Sequence, residues 1–188
     1  MDKPTQPFLT DIQEIRRRAR AHVEQGAVTP DYQGDVEVAV KLLNEALATE
    51  VVCNLRYRQH YYMAVGIHYL SVAEEFLEHA AEEAQHADWI AERIRQLNGK
   101  PELNPSGLLT RSHSQFVEGE SLVEMIKEDL VAERVAIESY REMIEYFGTK
   151  DPTSRRVMER ILEKEEEHAD DLATLLQRIH EQSAQTIQ

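Results

Sequence analysis

Cysteine is nearly missing from this chain. Cys53 is the one thiol, so no disulfide and no thiolate-ligated cluster can form within it, and a reducing compartment is the natural setting. No apolar run approaches the length of a membrane span, and the first residues lack the apolar core of a signal peptide. A cytoplasmic location without membrane contact is therefore expected. Glycine and proline are scarce, seven and six in 188 residues, and they gather at a few joints. The long tracts between them predict an all-helical fold. Positive charge is also short: 21 Lys and Arg against 35 Asp and Glu leave a net charge of −14. That balance repels polyanions, so nucleic acid is not the expected partner, and it attracts cations. The length suits one well-packed domain better than two.

What is present is helical periodicity. Residues 1–8, with Pro4 and Pro7, are expected to be loose. Thr10 to Gln25 predicts a short amphipathic helix (Ile12, Ile15, Ala19, Val23) with Arg16, Arg17, Arg18 and Arg20 around it. This arginine cluster reads as a solvated face or subunit contact. A connector from Gly26 to Gly34 follows, so residues 1–34 are an N-terminal arm and connector, and 35–188 a helical bundle. The first long helix, Asp35 to Ala64, has the seam Val36, Val40, Leu43, Leu47, Glu50, Asn54, Tyr57, Tyr61, with steps of four and three. Gly66 marks the turn after it. A second helix is expected from a capping box at Ser71–Glu74, with the seam Val72, Phe76, His79, Glu83, His86, Ile90, Leu97. Residues 98–120 hold three glycines and two prolines and form the one long connection, with room for a short helical piece near Leu108. A third helix is capped by Ser121 with Glu124 and ends at Gly148; its seam includes Ile126, Asp129, Glu133, Ile137 and Tyr140. The fourth opens at Asp151-Pro152 and carries Met158, Ile161, Glu165, His168 and Leu172 inward. Short turns between the first and last pairs and one long crossover describe a four-helix bundle of ferritin-like connectivity.

The chemistry lies where polar residues stand in place of leucines. Glu83-Ala84-Gln85-His86 and Glu165-Glu166-Glu167-His168 are two Glu-x-x-His motifs, each on a seam. Residues three apart share a helix face, so each motif presents a carboxylate and an imidazole to one point. Glu50 and Glu133 hold matching mid-helix positions on the other two helices. Buried carboxylates require compensation, and four ionised carboxylates balance two divalent cations. A dimetal centre follows, and its oxygen and nitrogen donors suit iron or manganese.

Leu47-Ala48-Thr49-Glu50 with Tyr57 seven residues on, then Glu83-x-x-His86, Glu133 and Glu165-x-x-His168, resembles the di-iron ferroxidase pattern of bacterioferritins in the ferritin-like superfamily. The resemblance covers residues 36–180. It implies Glu50 and Glu133 as terminal ligands, Glu83 and Glu165 as metal bridges, His86 and His168 as imidazole ligands, and Tyr57 as an aromatic neighbour of the site. Asp129 becomes a candidate acceptor for a ligand histidine. It further implies two iron ions per subunit (manganese being possible), Fe(II) and O2 or H2O2 as substrates, and storage of Fe(III) in a homo-oligomeric cage. Bacterioferritin haem is held by a methionine directly after the second-helix glutamate. Ala84 stands there, so no haem is expected. The short segment after His180 leaves no room for the fifth helix of 24-subunit cages, and the N-terminal extension is more like the Dps-like mini-ferritins, favouring 12 subunits. The paired cysteines of some members of that group are absent.

Two other functions share these residues: a non-storing dimetal oxidoreductase, such as a rubrerythrin-like peroxidase or manganese catalase, and a DNA-protecting shell using the arginine arm. His79 is either a core histidine or a neighbour of the centre, and Glu78 and Glu82 either pass cations inward or are solvated. His22, His60, His68, His113 and His180 read as surface or interface residues. Tyr61, Tyr62 and Tyr69 read as packing or subunit contacts, and Trp89 and Cys53 as structural.

Overall fold

A computed structural model of the chain describes residues 10–64 and 70–186, with side chains up to residue 181. The expectations for residues 1–8, Gly66, His68 and Tyr69 lie outside the described residues. Those residues form six α-helices: α1 (Ile12–Arg18), α2 (Val36–Met63), α3 (Leu70–Gln96), α4 (Leu108–Arg111), α5 (Leu122–Phe147) and α6 (Pro152–Thr186). Among the described residues there are two short 3-10 turns and no strand. No described helix is long and apolar enough to cross a membrane.

The helix ends follow local chemistry. Asp35 caps α2 through the amide of Val38 at 3.1 Å. At α5 the Ser121 hydroxyl accepts from the Glu124 amide, and the Glu124 carboxylate reaches back to the amide of Glu120, one residue beyond the usual box. Asp151 caps α6 through the Ser154 amide at 3.0 Å, with Pro152 at the first helical position. Gly148, at φ 45°, makes the sharp turn between α5 and α6. Two expectations are corrected. Ser71 lies inside α3, after Leu70, so it is not the cap of that helix. The arm helix stops at Arg18 rather than Gln25, because the chain turns through His22 at φ 54° and Gly26 at φ 59°. None of its residues is buried, so no apolar face holds further turns in place.

The α2–α3 and α5–α6 hairpins pack against each other, α2 on α5 and α3 on α6. Residues 97–121, between α3 and α5, run along α2 from Asn44, bonded to Lys100, to Arg56, bonded to Gln115, and Leu108 and Phe116 pack there against Ala48 and Val52. The connector after α1 is tied down too. Val28 and Tyr32 pack on the core, and Tyr32 donates to Asp151 at 2.8 Å.

The core is divided. One apolar cluster holds Leu43, Leu47, Ile90, Ile94, Tyr140 and Phe147. Another large one, besides the small group around Leu108, holds Tyr57, Phe76, Ile126 and Leu172. Each fully buried aliphatic side chain contributes about 1.5–3 kcal/mol. Between the clusters, at mid-height, lies a layer of buried carboxylates and imidazoles.

Candidate metal centre

All six residues picked out by the two motifs and their matching glutamates arrive in that layer. Glu50 comes from α2, Glu83 and His86 from α3, Glu133 from α5, and Glu165 and His168 from α6, each 0–1% exposed. Their donor atoms fall into two groups of four. Glu50, Glu83, His86 and Glu165 form one, and Glu83, Glu133, Glu165 and His168 the other, with atoms in each group within 4.8 Å of one another. Glu83 and Glu165 belong to both.

The polar atoms fit a group that holds cations. Glu83 Oε1, Glu133 Oε2, Glu165 Oε1 and His168 Nδ1 are buried without a hydrogen-bond partner. Each such atom costs about 1–3 kcal/mol unless something else satisfies it. His168 shows why its free nitrogen points inward. Its Nε2 lies 2.6 Å from Glu82 Oε2 and donates there, which leaves the Nδ1 lone pair facing Glu83 Oε1 at 3.4 Å and Glu133 Oε1 at 4.0 Å. His86 Nδ1 faces Glu165 Oε1 at 2.9 Å and Glu50 Oε2 at 3.1 Å.

Electrostatics sets Glu83 and Glu165 apart from Glu50. Burial, then repulsion from Glu165, Glu50 and Glu133, pushes the Glu83 carboxyl well above the usual range. Burial, then Glu50 and Glu133, does the same to Glu165. Burial also pushes Glu50 up, but His86, helped by Glu83 and Tyr140, more than offsets it and holds the group below its usual value. Both glutamates shared between the groups thus have raised carboxyls, which favours their neutral form when no cation is present.

Around this layer the structure adds partners and corrects expectations. Tyr57 is fully buried and donates to Glu133 Oε1. Its oxygen also lies 3.3 Å from His79 Nδ1. Tyr140, placed by the sequence only on the seam of its helix, donates to Glu50 Oε1. Asp129 does not accept from a ligand histidine. It binds His60 Nδ1 at 2.8 Å and Arg56 Nε at 2.7 Å. His60 is therefore a fully buried member of a polar cluster rather than a surface residue. Arg56, unnoticed in the sequence, is 1% exposed and also donates to the backbone oxygen of Gln115 at 2.7 Å. Sequence inspection could not find it, because the segment carrying Ser114 and Gln115 is what buries that face of α2. Glu82 pairs with Lys164 at 3.4 Å as well as with His168, whereas Glu78 is exposed. Burial lowers the His79 imidazole to about 3, with His168 contributing, so the ring is neutral. The same effect pushes the Cys53 thiol up to about 12, which keeps it protonated and inert.

Comparison with known proteins agrees with this geometry. The ferritin-like domain family matches residues 40–181. The bacterioferritin of Streptomyces coelicolor is 34% identical over 145 residues, covering 77% of this chain and 82% of that protein. Among solved structures, the bacterioferritin-related protein from Bacteroides fragilis, described as a dodecameric thioferritin, superposes with a TM-score of 0.79. It is 30% identical, over 83% of this chain and 94% of that one. A mycobacterial bacterioferritin superposes with a TM-score of 0.69 at 34% identity, over 79% of this chain and 88% of that one.

Proposed function

The chain belongs to the ferritin-like family, alongside bacterioferritins, and from that premise we propose that it is a ferroxidase and iron-storage protein. Two Fe(II) ions are its substrate, held between the four long helices. Glu50 with His86 binds one and Glu133 with His168 the other, while Glu83 and Glu165 bridge them. The observation that carries this reading is the membership of Glu83 and Glu165 in both four-residue groups.

The residues have distinct work. Glu82 holds His168 in the tautomer whose Nδ1 faces the centre. Tyr57 and Tyr140 each donate one hydrogen bond to a terminal carboxylate, which fixes its orientation; the second oxygen of Glu133 is left without a partner, and that of Glu50 faces His86. Glu83 and Glu165 release protons when cations bind. Each Fe(II) gives up one electron, and the pair of electrons with two protons reduces O2 to H2O2, or H2O2 to two waters. The surrounding apolar clusters exclude bulk water from the layer.

Fe(III) then passes into a mineral inside a homo-oligomeric cage. Twelve subunits are favoured, supported by the dodecameric description of the Bacteroides fragilis neighbour. Ala84 at the haem-methionine position supports a cage without bacterioferritin-type haem. Residues 1–34 serve as an arm and connector and 35–188 as the bundle. A cytoplasmic setting, suggested by the lone Cys53, goes with this role.

Aerobic iron loading tests the proposal. The expected result is rapid Fe(II) oxidation and an electron-dense core within each particle. Sustained peroxide turnover without any core would instead favour the peroxidase or manganese-catalase reading.

A further inference from the structure

Beside the six-residue layer lies another set of metal-binding side chains. Donor atoms of Glu75 and His79 on α3 and Asp171 on α6 fall within 4.8 Å of one another. Accounting for protons shows what His79 offers them. Tyr57 has a single hydroxyl hydrogen, and it goes to Glu133. The Tyr57 oxygen is therefore the acceptor in its 3.3 Å contact with His79, and the ring hydrogen sits on Nδ1. Nε2 is left with a lone pair. That lone pair faces Glu75 Oε1 at 3.5 Å and Asp171 Oδ2 at 3.9 Å, both acceptors. Among the described residues no hydrogen bond reaches Nε2, although the His79 side chain is only 2% exposed. Two carboxylates and one imidazole lone pair thus converge on one point, an arrangement that a divalent cation satisfies.

Its position matters as much as its chemistry. His79 precedes Glu83 by one turn of α3, and its ring stacks on His168 with centroids 4.0 Å apart and planes at 20°. Glu75 and Asp171 have side chains 32% and 46% exposed. The three residues therefore open to solvent, while the six behind them do not.

We propose that Glu75, Asp171 and His79 Nε2 form a third divalent-cation site that stages Fe(II) at the bundle surface beside the dimetal centre. One nitrogen and two carboxylates select Fe(II), Mn(II), Co(II) or Zn(II) over Ca(II) and Mg(II). The staging role rests on the ferroxidase reading; the existence of the site does not.

The test uses full-length, metal-free protein crystallised with Co(II), which binds like Fe(II) without being oxidised by air. Anomalous scattering at the cobalt edge is expected to show three peaks per subunit, one of them bonded to His79 Nε2. In the Glu75→Gln/Asp171→Asn double variant the third peak is expected to vanish while the two between Glu83 and Glu165 remain. Both substitutions lie on part-exposed side chains, so the fold is not at stake, and calorimetric stoichiometry in solution should fall from three to two. Two filled central positions with the third empty in the unaltered protein would overturn this inference alone. A filled third position with an empty centre would leave the site standing and remove the dimetal reading. No cobalt at any of the three would overturn both.

Discussion

Replacing Tyr57 by phenylalanine deletes one oxygen that donates to Glu133 and accepts from His79. Because both partners stay buried, the expected cost is about 1–3 kcal/mol of stability, read by thermal denaturation. Initial Fe(II) oxidation, read by stopped-flow absorbance, is expected to slow with the fold retained. The shared glutamates make a different prediction. Their carboxyls are raised in the folded protein, so without cations their help to stability is complete only below the ordinary glutamate value of about 4.3. It is lost as pH rises through their raised folded values. Cations bind the ionised form and reverse the sign. Affinity for Co(II) or Zn(II) is therefore expected to rise with pH over that window, and binding to release protons, measured by calorimetry in buffers of different ionisation enthalpy. At this scale the sequence shows its six candidate ligands because each glutamate or histidine interrupts a leucine-like seam. Arg56, His60 and Tyr140 escape such reading for a physical reason. Tyr140 looks like any buried aromatic until its hydroxyl is placed. Arg56 and His60 become internal only when Asp129, 73 and 69 residues away, folds onto them.

Asp151 joins elements rather than atoms. It caps α6, accepts from Arg93 at 2.8 Å, and accepts from Tyr32 of the connector at 2.8 Å. Burial pushes its carboxyl up, but the Ser154 bonds, Tyr32 and Arg93 outweigh that and hold it below the usual range. Its contribution is therefore present above the ordinary aspartate value of about 3.9 and lost as pH falls through the lower folded value. Asp151→Ala is expected to cost about 3 kcal/mol or more near neutral pH, since it removes a cap and leaves a buried guanidinium unpaired. Chemical denaturation at neutral and at strongly acid pH checks both the loss and its disappearance. Element boundaries were legible where a cap or a glycine stands at them, as at Asp35, Ser121, Gly148 and Asp151-Pro152. They were misread where local signals had no packing behind them. Ser71 resembles a cap yet lies within α3, and the amphipathic pattern of the arm outruns the seven residues that are helical.

At the scale of the molecule, the division of the core explains the placement of the site. Apolar clusters above and below stabilise the bundle, so the polar layer between them is free to serve cations rather than stability. The net charge of −14 opposes DNA binding. The arm is the exception, but Arg17 pairs with Glu14 and Arg18 with Asp31. A low-salt gel shift is expected to show no retardation, with or without residues 1–25. Native mass spectrometry is expected to find a closed assembly of twelve. Connectivity was legible because the long segment after α3 is the one stretch inside the bundle that holds several glycines and prolines. The face of α2 that it covers was not, because burial there depends on a distant segment.

The central claim is that Glu83 and Glu165 hold two ions in common, and shared carboxylates couple the ions magnetically. Mössbauer and EPR spectra of protein loaded with two isotopically enriched Fe(II) per subunit and exposed to O2 test that directly. The expected result is an EPR-silent, antiferromagnetically coupled Fe(III) pair before any mineral forms, abolished by Glu83→Ala. Magnetically isolated ferric ions from the outset, unchanged by that substitution, would contradict it.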